Sequence, residues 1–129
     1  MSIALYDETP NGQKRQVLVL TLLTETITVR ELIRSRVYQE VKDYNTRRPD
    51  TFNTLVQPTD AEKTLNGYRF RQPRSINWET QFEKALAAFQ GQGFLILVDD
   101  RQVDDLDEEI EIKPGTQVSF LKLIPLVGG

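Results

Sequence analysis

What narrows the fold most is a helix-forming segment set between strand-forming ones. Val29, Leu32, Ile33, Val37, Val41 and Tyr44 recur at spacings of three and four, the period that gathers side chains on one face of an α-helix. Its start is marked by Thr28-Val29-Arg30-Glu31. This fits a capping box, in which the Thr28 hydroxyl accepts the Glu31 backbone N–H and the Glu31 carboxylate reaches back to the Thr28 N–H. The spacing predicts a helix from Val29 to about Tyr44 lying on a sheet. Ahead of it, residues 2–8 read as a strand and the Val- and Leu-rich run from Gln16 to Leu23 as its return. Asn11-Gly12 between them is a hairpin signal, because both residues tolerate positive φ. Near the other end, Phe94 to Val98 reads as a buried strand, and Asp99-Asp100 as a turn into Arg101-Gln102-Val103. Pro114-Gly115 marks another turn, and Thr116 to Ile124 reads as a long final strand. Pro125 has no N–H to donate, so pairing stops there. Leu126-Val127-Gly128-Gly129 then projects as a tail.

The middle is less regular. Pro49, Pro58 and Pro73 punctuate a polar stretch over 45–75, which reads mostly as loop and as the most mobile internal segment. Tyr68-Arg69-Phe70-Arg71 alternates and reads as a short edge strand. A second helix is expected from near Asn77, with Trp78, Phe82, Leu86 and Phe89 as its core stripe, Ala85 between them, and Gly91 and Gly93 ending it.

Composition removes whole classes of chemistry. The 129 residues contain no cysteine and no histidine. Disulfides, thiolate ligands and a cysteine nucleophile are excluded, as are the commonest general base and the commonest transition-metal ligand. The net charge of −3 argues against global attraction to nucleic acid or an anionic membrane. Apolar runs are far too short to span a bilayer, and Met1-Ser2-Ile3-Ala4 lacks the blocks of a signal peptide. The expectation is a cytoplasmic protein that is not itself an enzyme.

Three segments in order carry a resemblance. They are Ile96-Leu97-Val98-Asp99-Asp100-Arg101-Gln102-Val103, then Ile112-Lys113-Pro114-Gly115-Thr116-Gln117-Val118, then Pro125-Leu126-Val127-Gly128-Gly129. Together they resemble the end of the β-grasp sulfur carriers, the molybdopterin-synthase small subunit and the thiamine sulfur carrier. Thr28-Val29-Arg30-Glu31-Leu32 resembles their first helix entry. The likeness covers about the first 44 and last 36 residues. Residues 45–93, where those carriers are much shorter, look more like bacterial ubiquitin-like modifiers. The resemblance implies an α+β chain of β-grasp (ubiquitin-like) fold over 1–124, with an inserted loop and second helix, and a diglycine tail over 125–129. It also implies that the Gly129 carboxylate, with Gly128 beside it, is the group activated. Pro125, Leu126 and Val127 would be what a partner reads. The implied partners are an adenylating enzyme that consumes ATP, a conjugating enzyme, a deconjugating isopeptidase and a target protein. No cofactor or metal is expected to be bound.

The chemistry of a double glycine is separable from that likeness. A tail carboxylate must enter a narrow site and attack the α-phosphate of ATP. Residues without Cβ can lie extended in a tight channel. The resulting acyl carbon is open to a thiol, a sulfur donor or an amine, with nucleophile and base supplied by partners. Three fates stay open: a protein modifier, a sulfur carrier ending in a thiocarboxylate, and a non-conjugated binding module. The acidic run Asp99, Asp100, Asp104, Asp105, Asp107, Glu108, Glu109 and Glu111 reads as solvated surface, since its spacing does not fit a calcium loop. A role in steering toward a basic enzyme is compatible with it. Arg47, Arg48, Arg69, Arg71 and Arg74 with Tyr68 and Phe70 read as an edge strand with outward arginines. Contact with nucleic acid is the competing reading there.

Overall fold

The computed structural model describes residues 1–65 and 67–123. The chain divides into two compact units, one made of residues 1–32 and 88–129, the other of residues 33–87.

The first unit is built on a five-stranded mixed sheet. Its strands are β1 (Ser2–Glu8), β2 (Lys14–Thr21), β6 (Phe94–Val98), β7 (Arg101–Val103) and β9 (Gln117–Lys122), in the order β2-β1-β9-β6-β7. β1 pairs antiparallel with β2 and parallel with β9, and β6 pairs antiparallel with both β9 and β7. The sequence expectation that the first and last strands are neighbours therefore holds, and β9 is central. Alternation decides which side is dry: Ile3, Leu5, Phe94, Ile96, Val98, Val118 and Phe120 are all buried. The β1–β2 loop closes with Gly12 N–H on Thr9 O (2.9 Å). Of Asn11 and Gly12, only Gly12 takes positive φ, +89°. At the β6–β7 turn the reverse holds, since Asp99 and Asp100 both take positive φ (47° and 68°), as a two-residue hairpin turn of this hand requires.

Two short strands of this unit escaped the sequence reading. β3 (Thr26–Thr28) pairs antiparallel with β8 (Glu109–Glu111). β8 lies within the acidic run, where Leu106, Ile110 and Ile112 point inward while Glu109 and Glu111 stay exposed. Three residues are too few for an alternation to declare itself against so much charge. The ribbon delivers the chain to helix α1 (Val29–Arg47), whose first N–H groups are received by Glu108 O (Val29, 3.0 Å) and Leu106 O (Arg30, 2.9 Å). Thr28 Oγ1 accepts the Glu31 N–H at 3.1 Å, the first half of the capping box.

In the second unit α1 continues to Arg47, one turn beyond the sequence boundary. The expected stripe is correct: Ile33, Val37, Val41 and Tyr44 are buried. Most of 45–75 is loop, as expected, and the edge strand expected at Tyr68-Arg69-Phe70-Arg71 is there; what the sequence reading missed is the strand it pairs with. β4 (Ala61–Lys63) and β5 (Tyr68–Phe70) form an antiparallel hairpin, and Phe52 exchanges two backbone hydrogen bonds with Tyr68 (3.0 and 2.8 Å). Tyr44, Phe52 and Phe70 form an aromatic cluster with centroids 4.5–5.7 Å apart. The segment is tied down by side chains from the helices, which no periodicity within it could reveal. Glu40 Oε1 accepts the Leu55 N–H at 3.0 Å. Asn45 clasps the Ile76 backbone at both N–H and C=O (2.9 and 3.0 Å). Helix α2 (Trp78–Gln90) begins beside Asn77, whose Oδ1 accepts the Thr80 N–H at 3.0 Å, a normal N-cap.

Candidate functional site

The five residues that the sequence singles out, Pro125, Leu126, Val127, Gly128 and Gly129, lie outside the described residues. What is described is the place from which that segment departs. β9 ends at Lys122 beside Phe94, and the Leu123 N–H donates to Gly93 O at 3.2 Å. Gly93 in turn donates to Ala88 O at 2.7 Å, closing α2. A Cβ on Gly93 would sit 3.3 Å from that same oxygen, so the close approach of strand to helix end favours glycine there.

The other wall of this exit is the β1–β2 hairpin. Asp7, Glu8, Lys14, Arg15 and Lys122 line an open depression with Thr9 and Gln13. Four of its five charged groups pair off: Lys122 Nζ lies 3.4 Å from Asp7 Oδ2, and Lys14 Nζ 3.7 Å from Glu8 Oε1, with Arg15 the fifth. Lys14 also donates to Gln117 Oε1 at 3.0 Å and lies over the Tyr6 ring, 4.7 Å from its centre. These groups can hold the exit in one geometry and present paired charge to a visitor. They form no set of nucleophile, base and orienting group.

The remaining sequence candidates resolve differently. Arg69 and Arg71 both bind Glu62, at 3.3 and 2.7 Å, and Arg74 binds Asp60 at 2.7 Å. The hydrogen bond from Arg69, followed by the charge of Arg71, holds the Glu62 carboxyl below the ordinary glutamate range. Three of the five arginines that could have met phosphate are thus engaged by carboxylates in or next to the β4 strand, which favours the edge-strand reading. The acidic run is partly countered too, by Arg30 on Asp107 (3.3 Å) and Arg101 on Glu108 (3.0 Å).

The α2 stripe needs a correction in phase. Gln81, Ala85 and Phe89 are the buried positions, while Trp78, Phe82 and Leu86 are only half-buried. Gln81 goes inside because its Nε2 donates to Val56 O at 3.0 Å, which satisfies a polar group that the hydrophobic pattern assigned to solvent. The sequence reading also missed Arg36 and Glu40. Arg36 is 0% exposed and its guanidinium lies 3.3 Å from Glu40 Oε2. Both fall in step with the α1 stripe, so an i,i+4 Arg–Glu pair on a buried face was the available signal.

No helix among the described residues is long and apolar enough to cross a membrane. Compared with known protein families, characterised proteins and solved structures, the chain shows no match.

Proposed function

We propose that this chain is a ubiquitin-like protein modifier of β-grasp fold. The Gly129 carboxylate is adenylated by an activating enzyme at the expense of ATP. It passes as a thioester to partner cysteines and ends as an amide on an amine of a target protein. An isopeptidase reverses the last step. The observation that carries the reading is the sheet: a leading hairpin, a helix entered through a capped turn, and a final strand inserted centrally and parallel to the first. That arrangement supports the reading, and the segment bearing Gly128-Gly129 follows β9 in the sequence. The absence of His and Cys suits a substrate whose chemistry is supplied by other proteins.

The test is reconstitution with the cognate adenylating enzyme and ATP. The full chain should form an adduct, whereas deletion of Gly129 or Gly128→Phe should abolish it while the far-ultraviolet circular dichroism stays unchanged. Mass spectrometry of the product from its host separates the fates. An amide from Gly129 to a lysine supports the modifier. Replacement of one oxygen by sulfur supports a sulfur carrier, the reading that Leu126-Val127 favours by their likeness to the apolar carrier tail. Full biological activity without Gly129 overturns both and leaves a binding module.

A further inference from the structure

We draw no further inference here: the strongest candidate, the partly exposed aromatic face that Tyr38 on α1 shares with Trp78 and Phe82 on α2, carries none because nothing in the structure shows what covers it.

Discussion

Glu40 ties α1 to the segment that follows it, and replacing it tests that link directly. Its carboxylate is 10% exposed and does two things at once: Oε2 receives the Arg36 guanidinium, itself 0% exposed, and Oε1 receives the Leu55 N–H. Glu40→Ala removes a counter-charge from a fully buried cation and the acceptor of the Leu55 N–H. Breaking a buried pair by deleting one partner costs about 3–5 kcal/mol. That corresponds to a fall in Tm of roughly 10–20 °C for a chain of this length. Glu40→Gln separates the two roles. It keeps an oxygen for Leu55 and loses only the charge, so it should cost clearly less, about 1.5–3 kcal/mol. Arg36→Met in the Glu40→Leu background replaces the pair with apolar bulk and should recover much of the loss, since such replacements are often neutral to within about 1 kcal/mol. Urea unfolding followed by circular dichroism gives all three. The reasoning is refuted if Glu40→Ala costs less than about 1 kcal/mol, or if the Met/Leu double variant is no better than Glu40→Ala.

Three further outcomes follow from the same geometry. A Cβ on Gly67 would sit 2.4 Å from Phe52 O, so Gly67→Ala should separate Phe52 from Tyr68 and cost about 1–3 kcal/mol in denaturant unfolding; an unchanged midpoint would show that the hairpin is looser than described. Because the folded-state pKa of Glu62 is depressed by Arg69 and Arg71, the contribution of that cluster to stability is complete above the ordinary glutamate pKa and is lost as pH falls through the lower folded value. Carbon-detected titration of the Glu62 carboxyl should show that lowered midpoint, and Arg69→Gln should raise it. Hydrogen exchange should find the Phe52, Leu55 and Tyr68 amides protected above their neighbours in 45–75, because each is bonded to a distant acceptor; rates equal to those of exposed loop amides would show these bonds to be open and the whole segment mobile.

The sequence by itself determined the elements whose signal is local and repeated. α1 declares itself through six apolar positions in step and through Thr28 and Glu31 at its mouth. β1, β2, β6 and β9 declare themselves through Val- and Leu-rich runs bounded by turn residues. In both cases one residue's conformation is dictated by neighbours within four positions, so a linear reading suffices. The tail candidates from Pro125 to Gly129 were likewise a matter of order along the chain, and they lie outside the described residues. Only the tertiary structure decided what depends on partners far away in sequence. β3 and β8 are three residues each, and they exist because Ile27 and Ile110 find the same core from positions 83 residues apart. Most of the stretch from Arg48 to Ser75 is loop, as it reads, but what anchors it lies outside it: Glu40 and Gln81 reach Leu55 and Val56 from the two helices, and Asn45 holds Ile76 at its end. The phase of α2 followed the same logic. Gln81 could go inside only because a carbonyl, Val56 O, was waiting there, and once it did, Trp78 and Phe82 were turned toward water.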